Sequence, residues 1–390
     1  MLPAENRVLE EGPLATGRHA IEAALSAVDD WIGPQGAPGV GVAVWHRGDI
    51  VAERYTGEAR PGEPVTPATL FPLASVTKPM AAAALMALVD DGSVSLDEPV
   101  ARLVPEFRVS TVTETAGADP TLERLRTTIG ARQLLCHTSG LPEDLGSRDS
   151  RYQETIAIDA VIDQMCRLPL LSPPGAELRY SNAGYGVAAR LVERVSEKQF
   201  WTLTRERVFA PLGLTEIVAN PDVMTATRVA HLSDASHVGT EVETYNSAYW
   251  RSLALPWGGL FGTPRGAVRF AAAFLPTGPR LFSGAATRMM IEDQTMGVPG
   301  GVESAKVHWA SGAWGLGWEI KGEKRRHWTG ELTSKRTFCH FGHAGTLLWG
   351  DPDHDLALAV FANRAVTHMW AFILSRWARL SNAVIAAAST

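Results

Sequence analysis

The chain has 390 residues, 45% of them hydrophobic and 20% charged, and its 36 basic and 42 acidic side chains give a net charge of −6. That is an ordinary globular composition, long enough for a sizeable core and for two or three domains. No basic stripe marks a nucleic-acid partner, and no apolar run approaches the ~20 residues of a membrane span.

The first residues, Met1-Leu2-Pro3-Ala4-Glu5-Asn6, lack the basic and apolar parts of a secretory signal, and residues 1–16 read as a loose leader. Ile21, Ala24, Leu25, Val28 and Ile32 recur at helical spacing over residues 18–32, and Pro34 to Gly39 break the pattern. Val40, Val42 and Val44 alternate with Gly41, Ala43 and Trp45. Arg47-Gly48-Asp49 turns the chain and Ile50 to Tyr55 returns, which is a β-hairpin pattern.

Residues 71–92 then stand out. Met80 to Val89 is an alanine-rich apolar run of strong helix formers, closed by Asp91-Gly92. Pro79 belongs in the first turn of that helix because it has no N–H to donate. Ser75 therefore falls at the helix start, with Lys78 three residues on and on the same face. A serine hydroxyl needs a base before it attacks a carbonyl. A lysine serves as that base where desolvation or neighbouring charge lowers its pKa. Helix-terminal N–H groups also suit a developing oxyanion.

Val94 to Val100 is followed by an irregular stretch, with Thr111 to Thr121 reading as a surface loop. A helix begins within Ile129 to Leu135 and closes at His137-Thr138-Ser139-Gly140-Leu141-Pro142. Ile156 to Cys166 is amphipathic, and Ser172-Pro173-Pro174-Gly175 is a turn. Arg179-Tyr180-Ser181-Asn182 precedes a helix over Val187 to Lys198, with Asn182 as its expected N-cap. Phe200 to Phe209 is helical, residues 219–256 are mixed loop, and Trp257-Gly258-Gly259 belongs to a glycine-rich turn into a helix ending at Leu275.

The final third returns to strand. Trp314 to Ile320, Phe341 to Trp349 and Leu356 to Phe361 read as strands, Lys321 to Arg336 as a long basic loop, and Asp351 to Asp355 as a turn. A last helix carries Trp370, Ile373, Leu374 and Trp377 on one side. Strands near both ends and helices between them imply one antiparallel sheet built from both termini, an α+β arrangement. The expected division is a discontinuous sheet-containing subdomain, 1–62 and 306–390, and a mainly helical subdomain, 63–305, with the active site between them.

Several short pieces occur in a telling order: Val40-Gly41-Val42-Ala43-Val44; Ser75-Val76-Thr77-Lys78; Leu134 to Leu141; Pro174-Gly175 followed by Tyr180-Ser181-Asn182; Pro211-Leu212-Gly213-Leu214; Gly258-Gly259-Leu260; and Gly342-His343-Ala344-Gly345. Together they resemble the serine β-lactamase and penicillin-binding-protein superfamily, in its class C-like, esterase-rich branch, over roughly residues 38–380. The resemblance implies Ser75 as nucleophile, with Lys78 and Tyr180 as its proton partners. Proximity of a lysine ammonium would lower the phenol's pKa, and coupled groups titrate as a pair, so the residues leave open which is the base. Asn182 would hold Lys78 and a substrate amide or carbonyl.

The family's third motif is Lys-Thr-Gly, and this chain departs from it. His343-Ala344-Gly345 matches the His-x-Gly form of related esterases and aminopeptidases, while His340-Phe341-Gly342 and His237-Val238-Gly239 carry the same pattern. His343 is preferred because Gly345-Thr346-Leu347-Leu348 continues into strand. The resemblance then implies an oxyanion hole from the N–H groups of Ser75 and Thr346. Neutral histidine would pair only weakly with a substrate carboxylate, which disfavours β-lactam or peptidoglycan turnover. Tyr185, Trp257 and Trp314 would line an apolar pocket.

Other chemistries find no footing. There is no Gly-x-Ser-x-Gly elbow, no His-Glu-x-x-His and no paired Cys-x-x-Cys, so neither metal nor cofactor is implied. Asp351, Asp353 and Asp355 resemble part of a calcium loop but lack its terminal glutamate. Cys136, Cys166 and Cys339 are odd in number and widely spaced, so a disulfide framework is not expected and a reduced cytoplasmic setting is. The expected function is a serine hydrolase acting through an acyl-enzyme on a small ester or amide. Acyl transfer to an alcohol or amine, and a non-catalytic ligand-binding role, are the alternatives.

Overall fold

The structure is a computed structural model that describes residues 13–107, 119–146, 152 and 154–389. Its strands, in chain order, are β1 (Gly39–His46), β2 (Asp49–Arg60), β3 (Glu63–Pro64), β4 (Phe71–Pro72), β5 (Leu178–Arg179), β6 (Ile217–Ala219), β7 (Leu260–Gly262), β8 (Gly300–Val302), β9 (Val307–Trp309), β10 (Glu319–Ile320), β11 (Phe338–Gly342), β12 (Thr346–Asp351) and β13 (Leu356–Ala362). The main sheet has seven strands in the order β10-β11-β12-β13-β1-β2-β3. Its paired neighbours all run antiparallel. Both ends of the chain contribute to it, as the sequence implies, and the fold is α+β.

Alternation along β1 assigns its residues to two cores. Val40, Val42 and Val44 pack with Val360, Trp349, Ile21, Trp377 and Val384, the layer of the helices Pro13–Leu25 and Val366–Ala388. Ala43 and Trp45 face the other core, with Phe71, Val268 and Phe361. There the helix Pro264–Ala272 lies on the sheet, and Gly41 leaves room for it: a Cβ at that position would meet Pro264 and the rings of Phe71 and Tyr55. The β1–β2 turn places Arg47 and Gly48 at φ +48° and +102°, the backbone a two-residue hairpin demands.

Three sequence expectations change. The strand expected over Phe341 to Trp349 is a hairpin: β11 ends at Gly342, His343 to Gly345 turn, and β12 begins at Thr346. Gly345 lies at φ +89° and donates its N–H to the Gly342 carbonyl at 3.0 Å, the geometry of a three-residue loop. The strand expected over Trp314 to Ile320 shrinks to β10, because Gly317 takes φ +98° and Gly315 donates back to the Trp318 carbonyl. The N-cap of the helix Asn182–Ser196 is Ser181, whose hydroxyl accepts from the Gly184 N–H, and Asn182 is the first helical residue. Most of the loop expected at 111–121, most of the leader and the side chain of Trp370 lie outside the described residues.

The basic loop after β10 is pinned to the core. Lys324 is buried, and its ammonium donates to Glu319 at 3.0 Å and to the carbonyls of Ala313 and Ile320 at 2.8 and 2.9 Å. Lys321 reaches the Thr333 hydroxyl at 2.8 Å. Among the described residues no helix is long and apolar enough to cross a membrane. Glu319 is 0% exposed, so Lys324→Met strands a buried carboxylate. The expected loss is about 3–5 kcal/mol in urea unfolding, with part of it recovered when Glu319→Gln is added. A Lys324→Met loss below about 1 kcal/mol would show the pair to be solvated.

Candidate active site

The nucleophile candidate stands where a strained turn meets a buried helix. Ala74 lies at φ +47°, a conformation that costs a non-glycine residue on the order of 1 kcal/mol or more and clusters at functional sites. A 3₁₀ turn over Ala74–Val76 leads into the helix Thr77–Asp90, whose residues Thr77 to Leu88 are all buried. Lys78 is 0% exposed. Its nitrogen lies 3.0 Å from Ser75 Oγ and 2.8 Å from the Trp257 carbonyl. It also sits over the rings of Tyr180 at 4.8 Å and Tyr185 at 5.6 Å.

Tyr180 comes from the segment between β5 and the helix Asn182–Ser196. Its N–H donates to Gly301 at 3.2 Å. Tyr180 is buried, and its phenol lies close enough to Ser75 to be influenced by the hydroxyl. Burial pushes the phenol well above its ordinary range, and the Ser75 hydroxyl only partly offsets this. The lowering expected from the neighbouring lysine therefore does not prevail, and the phenol is protonated at rest. Asn182 donates from its side-chain amide to Asp144 at 2.7 Å, and its carbonyl oxygen is buried without a partner. Its backbone N–H donates to the Glu143 carbonyl at 2.7 Å.

A cavity of about 450 Å³ opens over these groups, lined by Ser75, Tyr180, Asn182, Glu143, Asp144, His343 and the aromatic rings of Tyr245, Trp250 and Trp257. Of the three aromatics expected in the pocket, Trp257 lines it. Tyr185 donates its hydroxyl to the Leu135 carbonyl at 3.1 Å, and Trp314 packs against Tyr180, His137 and His340. Both are about 1% exposed and lie behind the wall.

The third-motif candidates separate cleanly. His343 is in the turn and lines the cavity. Gly345 is in the same turn. Thr346 starts β12, which has β11 on one side and β13 on the other. Its hydroxyl donates to the Leu73 carbonyl at 3.0 Å. His340 lies within β11, 2% exposed, its ring 6.0 Å from that of Tyr180. β10 pairs only with Phe338 and Cys339, so the outer edge of β11 is uncovered from His340 onward. Burial, then the Lys78 charge, lower His340 to about 3, so its ring is neutral. His237 lies in a loop at the cavity rim.

Sequence reasoning missed three participants: Ala74, the Glu143–Asp144 pair, and His137, which is fully buried at φ +62° with its ring 4.4 Å from that of Tyr180. The helix-closing His137-Thr138-Ser139-Gly140 pattern was the available signal. It also missed a buried Glu319–His327–Cys339 cluster whose ligand atoms lie within 4.8 Å of one another. Lys324 already occupies Glu319 Oε1, and burial followed by the Glu319 charge holds the Cys339 thiol well above its usual range. Those donors fit a charge-compensated hydrogen-bond network better than a metal site.

An antiparallel sheet flanked by helices, with a serine, a lysine and a tyrosine in contact at its edge, defines the class of the serine β-lactamases and penicillin-binding proteins. Residues 24–380 match the Beta-lactamase family model, and the chain belongs to that family. It is similar to penicillin-binding protein 4 of Amycolatopsis lactamdurans, 32% identical over 301 residues, which is 73% of this chain and 71% of that protein. A solved beta-lactamase from Mycobacterium bovis is 27% identical, with a TM-score of 0.64 over 94% of this chain and all of its own. A family VIII carboxylesterase has a TM-score of 0.76 over 95% of this chain and 97% of its own, and at 20% identity it shows the fold alone.

Three buried imidazoles set an acid response. Burial first, then the charge of Lys78 and the neighbouring His340, hold His137 well below 6.5. Burial also lowers His327 against the pull of Glu319, and His340 falls to about 3. Below about pH 6.5 the unfolded chain takes up protons that the fold refuses. Stability is therefore full above that pH and falls as pH drops toward the folded values, by about 1.4 kcal/mol per unit for each imidazole kept neutral. Urea unfolding between about pH 7.5 and 5 should show the decline, with a shallower slope in His340→Asn. A flat profile in wild type would mean the rings titrate normally.

Proposed function

We propose that the protein is a serine hydrolase in which Ser75 attacks the carbonyl of a small ester or amide and carries the acyl group until water releases it. The observation that supports this most directly is the Lys78 nitrogen 3.0 Å from Ser75 Oγ and 4.8 Å from the centre of the Tyr180 ring, with Ser75 and Tyr180 lining one cavity. The serine proton passes to the Lys78–Tyr180 pair, which titrates as a unit. The phenol, protonated at rest, returns a proton to the leaving group. Asn182, oriented by Asp144, offers its carbonyl oxygen to an N–H of the substrate.

For the oxyanion we assign the third motif to His340-Phe341-Gly342, three residues before the match preferred from sequence. The Gly342 carbonyl points toward the turn, accepting from Gly345. Backbone groups alternate along a strand, so those of Phe341 point the other way, to the edge that β10 does not pair with. His343, the first residue of the turn, lines the cavity, and its carbonyl accepts the Val366 N–H at 2.8 Å. The N–H of His343 with that of Ser75 is then the donor pair, in place of Thr346.

The substrate class follows from charge. A neutral His340 offers no cation to a substrate carboxylate, and in the cavity lining the carboxylates Glu143 and Asp144 outnumber the ammonium of Lys306. Esters and amides with neutral or cationic acyl groups fit better than anionic peptides or β-lactams. Aromatic walls can also seat an alcohol or amine acceptor, so acyl transfer is the second reading, tested by partitioning the acyl-enzyme between water and an added acceptor. Three buried free thiols support a reducing, cytoplasmic setting.

With a p-nitrophenyl ester, Ser75→Ala should lose about 10⁴-fold or more in rate and show no acyl adduct by intact-protein mass spectrometry. Tyr180→Phe should lose about 10²–10³-fold, and His343→Ala less than either, because its backbone is retained. An adduct persisting in Ser75→Ala removes the nucleophile assignment.

A further inference from the structure

His137 carries two costs at one position. It is a non-glycine residue at φ +62°, and its Nε2 is buried with no hydrogen-bond partner. Backbone strain of that kind is costly, and a buried unpaired polar atom adds to it. Packing alone does not explain their persistence. What His137 supplies is a false strand edge. Its carbonyl accepts the Arg179 N–H at 2.8 Å, and its Nδ1 accepts the Ser181 N–H at 3.0 Å. Those two donors flank Tyr180, whose own N–H goes to Gly301 on the opposite side. Residues 179–181 are thus gripped from both sides, one grip being a ring nitrogen where a neighbouring strand would place a carbonyl. The same ring lies against Tyr180, with the edge of Trp314 behind it.

We propose that His137 is a positioning residue that holds the Tyr180 phenol on Ser75 by accepting the Ser181 N–H through Nδ1. The proposal rests on the reading of Tyr180 as a proton relay. It requires the neutral ring with its proton on Nε2, since a protonated Nδ1 could not accept.

Substitution separates the ring nitrogen from the backbone conformation. Glycine and asparagine are the residues best suited to φ > 0, and only asparagine returns an acceptor near the position of Nδ1. With a p-nitrophenyl ester, His137→Gly should lower kcat on the order of 10²-fold while KM moves less than about threefold, the effect of a displaced catalytic group. His137→Asn should recover about tenfold or more of that loss. In a Tyr180→Phe background, His137→Gly should cost less than about twofold, because there is no phenol left to place. Circular dichroism verifies folding.

Equal rates for folded Gly and Asn variants, or an undiminished His137→Gly loss on top of an impaired Tyr180→Phe, would reduce His137 to core filling and leave the Tyr180 reading intact. Near-wild-type rates in Tyr180→Phe would fell both. If the variants do not fold, nitrogen NMR of wild type decides the matter: a proton on Nδ1 of His137 overturns the proposal, and an Nε2–H tautomer upholds it.

Discussion

A lysine sealed from water is the constraint on which the rest of the structure turns. Lys78 lies on a helix buried from Thr77 to Leu88, and two of the acceptors near its nitrogen are groups brought to it. An amine or ammonium in such a place costs several kcal/mol unless it is hydrogen bonded. One acceptor is Ser75, a turn away. The other, the Trp257 carbonyl, is remote in sequence and is delivered by a small sheet: β7 pairs with β4 beside the Ser75 turn, Leu73 donates to the Leu260 carbonyl, and Leu260 donates to Thr77 Oγ1. The burial that makes a lysine useful as a proton partner thus also ties the middle of the chain to the mouth of its central helix.

The short-range features were legible because their causes are local. Ser75-x-x-Lys78 with Pro79, the Arg47-Gly48 turn and the alternation of β1 each rest on residues within a turn or a strand of one another. The errors have distant causes. Ser181 and Asn182 are equally good caps by type. The choice is made by Glu143, whose carbonyl takes the Asn182 N–H, and by Asp144, which takes its side-chain amide. Three His-x-Gly triplets are indistinguishable as strings. Their places differ only in the fold: His340 lies within β11, His343 in the turn that Gly345 closes, and His237 in a loop remote in sequence. Lys324 looks like one of many loop cations until Glu319 is seen to be buried beneath it.

The two halves of the cleft differ in what they preserve. On the serine side, the groups that would make and break an acyl-enzyme are packed against one another, and a change in any of them disturbs the others. On the recognition side, the assignment proposed above puts a histidine, His340, where lactamases and peptidases carry lysine. The structure gives a reason for that histidine to remain uncharged. Burial lowers His340 most and the Lys78 charge adds to it through space, so the ring is neutral and packs with Tyr180 and Trp314. A second ammonium there would face Lys78 inside a poorly screened interior, where like charges interact strongly. Exchanging it for a neutral ring removes that repulsion together with the site's grip on carboxylates. With Glu143 and Asp144 outnumbering Lys306 in the cavity lining, the cleft proposed above can keep the acyl-transfer chemistry of its family while turning away from that family's anionic substrates.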